Sequence, residues 1–246
     1  VSDKIVEWLT GTPGVAATRI VFVNRNGDKG ELYSIDFDGE NLQRLTWDNS
    51  LALSPEWSPD GQKVAFTSFK NGAPYLYELN IAEGVDRLLS DRGGAVLTPA
   101  YTPDGLRIAF SAREGFSTEL FLKDVRAEGT DIQITKTEAS DALSPTFSPD
   151  GRYVAYVSNH SGAPHIYVRS ANGSQFVQVT SQSNYNQSPD WSPSGKYIAY
   201  HAEVNGSYHI FIATPDGERT IQITRQGNNE DPSWAPDGRQ IGRAHV

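Results

Sequence analysis

The sequence predicts an all-β chain built from one repeated four-stranded unit, and three observations predict it. A Pro-Asp-Gly motif recurs at a nearly constant interval, each copy precedes the same short run of large, small and large residues, and turn-forming residues are spread along the whole chain. The 246 residues include 22 Gly and 14 Pro, a turn signal about every seven residues, which suits short strands. The 5 Trp, 11 Tyr and 10 Phe supply large rigid side chains for packing between sheets.

The repeat is read directly. Ser54-Pro55-Glu56-Trp57-Ser58-Pro59-Asp60-Gly61 returns as Thr98-Pro99-Ala100-Tyr101-Thr102-Pro103-Asp104-Gly105 and as Ser144-Pro145-Thr146-Phe147-Ser148-Pro149-Asp150-Gly151. Two further copies are Ser188-Pro189-Asp190-Trp191-Ser192-Pro193-Ser194-Gly195 and Asp231-Pro232-Ser233-Trp234-Ala235-Pro236-Asp237-Gly238. Their spacing, roughly 43 to 46 residues, is that of a four-stranded β-propeller blade. Within the unit, Pro fixes one turn dihedral, the Asp carboxylate caps the turn, and Gly takes the positive φ that other residues resist. A tight hairpin turn follows.

After each turn comes a strand: Lys63-Val64-Ala65-Phe66-Thr67, Arg107-Ile108-Ala109-Phe110-Ser111, Tyr153-Val154-Ala155-Tyr156-Val157 and Tyr197-Ile198-Ala199-Tyr200-His201. The small residue between two large ones suits a sheet packed on both faces, as a blade is between its neighbours. A third strand is expected at Tyr75-Leu76-Tyr77, Glu119-Leu120-Phe121, His165-Ile166-Tyr167 and His209-Ile210-Phe211. A fourth is expected at Arg87-Leu88-Leu89, Gln133-Ile134-Thr135, Gln178-Val179-Thr180 and Gln222-Ile223-Thr224. Ahead of the first turn, Arg19 to Val23, Glu31 to Tyr33 and Gln43 to Thr46 match the second, third and fourth strands of a blade that lacks its first. In propellers such a strand commonly comes from the other terminus and closes the ring, removing two sheet edges. Beyond Gly238, Ile241 fits the repeat but Gly242-Arg243-Ala244-His245-Val246 leaves it. Residues 241–246 equal the in-frame translation of a common sequencing-adapter string, so a non-native tail is expected there and a last blade cut short.

Charge and composition exclude several functions. A formal charge of −9 without a Lys/Arg cluster opposes binding to nucleic acid or anionic lipid. The absence of cysteine rules out disulfides and thiolate metal sites. Val1 to Thr10 carry Asp3, Lys4 and Glu7 and are not the apolar stretch of a signal peptide, and no run is long enough to span a membrane. Asp3 to Leu9 reads as a short helix stopped by Gly11.

The Pro-Asp-Gly repeats, together with the stretch from Leu9-Thr10-Gly11-Thr12-Pro13-Gly14 through Val15-Ala16-Ala17-Thr18-Arg19-Ile20, resemble the TolB family, the latter stretch being similar to the family's link between its small N-terminal domain and its first blade. The resemblance extends to about Gln240. It implies an incomplete six-bladed propeller over residues 18–240, preceded by a linker helix within 1–17 that leads from an α/β domain upstream. It also implies a non-enzymatic periplasmic scaffold of the Tol-Pal system, which supports outer-membrane integrity and cell division. The implied partners are the lipoprotein Pal, held at the mouth of the central channel, and other Tol proteins through the upstream domain. A monomer is expected, without nucleic acid, cofactor or metal, and not embedded in the membrane.

The family's mouth is lined by residues just ahead of the repeat's first proline. Carried onto this chain they are Leu53 and Ser54, Ala95 to Thr98 with Leu97 among them, Leu143 and Ser144, Gln187 and Ser188, and Glu230 and Asp231. Ala95 stands where the family often has histidine, and Leu143-Ser144 where it has a Thr-Glu pair. The loops Asn184-Tyr185-Asn186 and Asn228-Asn229 feed the same rim, and adjacent Glu230 and Asp231 are placed to attract a cation or a basic peptide segment.

Other candidates have structural readings. No Gly-x-Ser-x-Gly, His-Glu-x-x-His or P-loop pattern is present. His165 and His209 occupy equivalent places, but Glu31, Tyr75 and Glu119 share that slot, which is expected to face solvent or a blade interface rather than to bind metal. Asp60, Asp104, Asp150 and Asp237 belong to turns, with Ser194 substituting in one. Asp36-Phe37-Asp38-Gly39-Glu40 lacks the later ligands of a calcium loop and falls where a hairpin is due. The sequons at Asn159, Asn172 and Asn205 read as turns. The alternative from another class is the substrate-gating propeller of a serine peptidase.

Overall fold

A strand whose small residue lies between two large ones needs covering on both faces, and the chain meets that need by stacking sheets side by side. The computed structural model describes residues 14–245 other than 93, 94, 128, 138 and 174. The first sheet contains β1 (Arg19–Asn26), β2 (Lys29–Asp36) and β3 (Gln43–Arg44), and the second β4 (Ala52–Trp57), β5 (Lys63–Ser68), β6 (Tyr75–Asn80) and β7 (Val85–Ser90). The third has β8 (Val96–Tyr101), β9 (Arg107–Glu114), β10 (Ser117–Asp124) and β11 (Ile132–Gln133). The fourth has β12 (Ala142–Phe147), β13 (Tyr153–Ser158), β14 (His165–Ser170) and β15 (Phe176–Gln178). The fifth has β16 (Asn186–Trp191), β17 (Ile198–Val204), β18 (Ser207–Ala213) and β19 (Thr220–Gln222), and the last β20 (Asn229–Trp234) and β21 (Ile241–His245). Strands pair antiparallel in chain order throughout.

This is an all-β propeller. Where the sequence predicts six blades, five sheets have three or four strands and the sixth has two among the described residues. The helix expected over Asp3 to Leu9 lies outside the described residues. Ile241 to His245, whose residue types leave the repeat after Ile241, pair with β20 at Trp234↔Ile241 and Asn229↔His245, the register in which Trp57↔Val64 and Ala52↔Ser68 join β4 to β5.

The repeated alanines lie inside the stack of sheets: Ala65, Ala109, Ala155 and Ala199 are all fully buried. The aromatic residue that follows each of them pairs across to the third strand, as Phe66–Tyr77, Phe110–Phe121, Tyr156–Tyr167 and Tyr200–Phe211, and Phe22–Tyr33 does the same in the first sheet, with centroids 5.7 to 6.0 Å apart. Apolar clusters then cross the four junctions from the first blade to the fifth. Leu32 meets Ala52 and Phe66, Leu76 meets Val96 and Phe110, Leu120 meets Ala142 and Tyr156, and Val157 meets Trp191 and Ile198. Each fully buried large side chain contributes about 1.5 to 3 kcal/mol.

The turns behave as their chemistry requires. Ser58 Oγ donates to Asp60 Oδ1 at 2.6 Å, and the same carboxylate accepts the Gln62 N–H. Those bonds, the Ser58 hydroxyl's foremost, hold the Asp60 carboxyl below its usual pKa. Ser194 substitutes by meeting Ser192 Oγ at 3.0 Å. A similar turn, Thr214-Pro215-Asp216-Gly217, joins β18 to β19, outside the position the repeat assigns. Successive turns also touch, since a Cβ built on Gly105 would lie 3.6 Å from Pro59 Cδ and one on Gly151 3.6 Å from Pro103 Cδ. Gly30 serves a different purpose: its N–H donates to Ser50 O, and it bridges Leu51 so closely that a Cβ would sit 2.8 Å from Val23 Cγ1.

In the slot shared by Glu31, Tyr75, Glu119, His165 and His209, Tyr75 is half-buried and the other four are buried. The slot clasps the segment leading to the next blade: Glu119 accepts from Thr135 and from the Thr137 N–H, Glu31 from Thr46 and the Asn49 N–H, and His165 Nδ1 meets Asn186 Nδ2 at 3.1 Å. Asp36 to Glu40 close a hairpin turn, with the Asp36 N–H donating to Glu40 O.

Candidate functional site

Proline has no N–H, so a strand that contains one loses a ladder bond and bulges there. All five first strands with the repeat do so at the same place. Pairing skips between Leu53 and Glu56, Leu97 and Ala100, Leu143 and Thr146, Gln187 and Asp190, and Glu230 and Ser233. The residue ahead of each proline takes the left-handed region: Ser54 at φ 50, Thr98 at 48, Ser144 at 51, Ser188 at 50 and Asp231 at 47. That conformation is uncommon for any residue with a side chain, and most of all for β-branched Thr98. Backbone strain repeated in register across neighbouring inner strands marks the rim as the candidate site.

These positions are linked around the rim. Thr98 Oγ1 lies 2.8 Å from Ser111 Oγ and accepts the Ser144 N–H at 3.2 Å. Ser188 Oγ donates to Asp231 Oδ1 at 2.6 Å, and the Asp231 N–H donates to His201 Nδ1 at 3.2 Å. Leu143 packs into the apolar cluster between the fourth and fifth sheets, and Ala95 offers only its carbonyl, to the Arg113 N–H. Leu97 is the last paired residue before its bulge, as Gln187 is before its own. Tyr185 stacks on His201 and tilts against Tyr208, with centroids 6.5 and 5.6 Å apart. The structure thus gathers Tyr185, Ser188 and Asp231 at the junction of the fifth and sixth sheets, and spreads Ser54, Ala95, Leu97, Thr98, Leu143 and Ser144 over the junctions before it.

His201 and Tyr208 were not singled out in the sequence, yet the signal was present. His201 falls where the other blades have Thr67, Ser111 and Val157, each paired like it with the last residue before the bulge. Glu56 and Asp190 also went unmarked. They follow the proline, and Asp190 Oδ2 accepts the Trp234 N–H at 2.6 Å. Burial raises the Asp190 carboxyl to about 6, against the pull of that bond. Burial among the inner strands raises Glu56 as well, and the Asp190 charge adds to it. Glu56 keeps contact with solvent, so water weakens this coupling.

Ser188 and His201 do not form a nucleophile–base pair. The Ser188 hydroxyl donates to a carboxylate and not to an imidazole, and His201 Nδ1 is occupied by a backbone N–H and lies 3.9 Å from Asp231 Oδ1. A nucleophile–base pair requires the hydroxyl to donate to the base. Burial lowers the His201 pKa, Asp231 opposing, which keeps Nδ1 an acceptor. Among the described residues no group of three or more His, Cys, Asp or Glu is placed to hold a metal ion, and no helix is long and apolar enough to cross a membrane.

Comparison with known proteins agrees with this architecture. A protein named "Protein TolB homolog" from Chlorobium chlorochromatii is 40% identical over 157 residues, 64% of this chain and 35% of that protein. The "Tol-Pal system protein TolB" of Bordetella pertussis is 36% identical over 173 residues, 70% of this chain and 39% of that protein. The chain therefore spans well under half the length of these curated relatives. The crystal structure of TolB from Acinetobacter baumannii superposes with a TM-score of 0.84 at 27% identity, covering 98% of this chain and 61% of that one. A prolyl endopeptidase at 15% identity and a TM-score of 0.55, covering 92% of this chain and 44% of that one, shares the fold alone. The family model for the TolB beta propeller domain matches residues 6–242, and the chain belongs to that family.

Proposed function

We propose that this chain is the propeller of a non-enzymatic periplasmic scaffold of the Tol-Pal system, which holds the lipoprotein Pal at the bulged rim and thereby supports outer-membrane integrity and division. The observation that carries the reading is the rim itself. Five inner strands repeat one strained bulge, while the residues on either side of it differ from blade to blade, as recognition requires and scaffold packing does not. The names of the relatives supply the system. On this reading the ring is six-bladed, residues 1–17 lead from an upstream domain that meets other Tol proteins, and 18–240 form the propeller. Ser54, Ala95, Leu97, Thr98, Leu143, Ser144, Tyr185, Gln187, Ser188, Glu230 and Asp231 face the partner.

The test uses the full-length protein and the Pal of the same organism in isothermal titration, with a Glu230→Ala/Asp231→Ala variant beside it. Saturable one-to-one binding, weakened at least about tenfold in the variant, supports the proposal; a rim substitution of this kind removes contacts each worth about 1 kcal/mol or more. Absence of binding by the intact protein overturns it.

A further inference from the structure

The rim is not uniform. At three neighbouring positions the fifth blade departs from the repeat in the same direction. His201 replaces Thr67, Ser111 or Val157. Tyr208, opposite Glu203, stands where Thr118 lies opposite Arg113. Tyr185, whose carbonyl accepts the Glu203 N–H, stands where Ala95 accepts from Arg113 and Leu51 from Phe69. Small or aliphatic side chains satisfy the scaffold at most of these places, so three aromatic rings in mutual contact answer another demand. Tyr185 is 37% exposed, while His201 behind it is buried.

Carboxylates surround this cluster. Glu203 pairs with Tyr208 across the hairpin, and the Tyr208 N–H donates to Asn228 Oδ1 just ahead of Glu230; among the described residues neither glutamate side chain has an ion pair or a hydrogen bond. Asp231, joined to the cluster through His201, is exposed as well. An aromatic face beside an unpaired carboxylate attracts a planar cation, since the guanidinium stacks on the ring and its edge bonds the oxygens. The chain shows that arrangement in its own first blade. Arg44 lies 5.7 Å over Trp47 while its Nη2 meets Glu31 Oε1 at 3.0 Å.

We propose that Tyr185, Tyr208 and Glu230, backed by His201 and helped by Glu203, form a subsite that takes an arginine side chain of the protein partner. This deepens the proposed function and rests on it for the identity of the partner, but not for the chemistry of the site.

The full-length protein with 13C-labelled tyrosine rings is titrated with N-acetyl-arginine methylamide and with its neutral isostere N-acetyl-citrulline methylamide. Ring signals are assigned from Tyr185→Phe and Tyr208→Phe. The arginine probe shifts both tyrosines with an affinity on the order of millimolar, at least about fivefold tighter than citrulline, and Glu230→Gln removes most of that preference. Equal response to the two probes, or none to arginine at tens of millimolar, overturns the inference. The retained Tyr185 and Tyr208 shifts of unliganded Glu230→Gln show that the variant is folded. Binding of Pal without any response to the arginine probe refutes the subsite and leaves the scaffold reading standing; the reverse result refutes the partner and leaves the subsite.

Discussion

Between the second and third blades a buried carboxylate does what apolar side chains do between the fourth and fifth, and exchanging one solution for the other tests the fold's internal equivalence. Glu78 is 3% exposed. Its Oε2 accepts from Lys63 Nζ at 3.0 Å and from Arg87 Nε and Nη2 at 2.9 and 2.6 Å, and its Oε1 accepts from the Tyr101 hydroxyl of the next blade at 2.9 Å. Burial alone raises the Glu78 pKa, but the bonds from Arg87, Lys63 and Tyr101 outweigh it and the net shift is downward. Strand register places Val168, Val177, Tyr153 and Trp191 at the corresponding positions of the fourth and fifth blades. Glu78→Ala strips a buried anion from three donors. Lys63 and Arg87 are partly exposed and regain water, so the loss falls near the low end for a broken buried pair, about 3 kcal/mol. The fourfold graft Lys63→Tyr, Glu78→Val, Arg87→Val and Tyr101→Trp removes every charge together, and lies within about 1 kcal/mol of the parent because apolar replacement of a complete buried ion network is close to neutral. Urea unfolding followed by tryptophan fluorescence measures both, each at unchanged m. A single variant that costs less than about 1 kcal/mol, or a graft as unstable as the single variant, refutes the reasoning.

Three further outcomes follow from the geometry. Asp190 has a folded pKa raised to about 6, so the native state binds the extra proton between the ordinary Asp value and pH 6. Its contribution is then present at low pH and lost as pH rises through that window. Asp190→Asn keeps an acceptor for the Trp234 N–H and gains on the parent by about 2 kcal/mol between pH 4 and 8 in thermal unfolding; an unchanged difference across that range contradicts the shift. Gly30→Ala drives a methyl to within 2.8 Å of Val23 Cγ1 and lowers stability by about 1 to 3 kcal/mol in denaturant titration, while a neutral result shows that the first and second sheets have slack where they meet. At Ser54, glycine is more stable than alanine by about 1 kcal/mol because φ is 50, the reverse of an ordinary strand position; alanine equal to glycine in calorimetry argues against strain at the bulge.

The sequence by itself determined the repeat, the turn at each Pro-Asp-Gly, the large-small-large second strand and the all-β propeller. It did so because each rests on local chemistry: a fixed proline φ, a capping carboxylate, a glycine at positive φ and an alternation that only a two-faced sheet accommodates. It also pointed to the residues ahead of the first proline as candidates, through family likeness and not through their conformation. The left-handed turn at Ser54, Thr98, Ser144, Ser188 and Asp231 was hidden because no local rule favours it there; the pairing of each first strand with its second imposes it. The choice between solvent and a blade interface for His165 and His209 was left open for a related reason. Three residue types share the slot, which looks permissive in sequence, but Glu31, Glu119 and His165 each clasp a loop that is distant along the chain. The same holds for the Tyr185, His201 and Tyr208 cluster. Its members are spread over two strands and a loop, and only the stacking of one blade's hairpin beside the next blade's inner strand brings their rings together with Asp231.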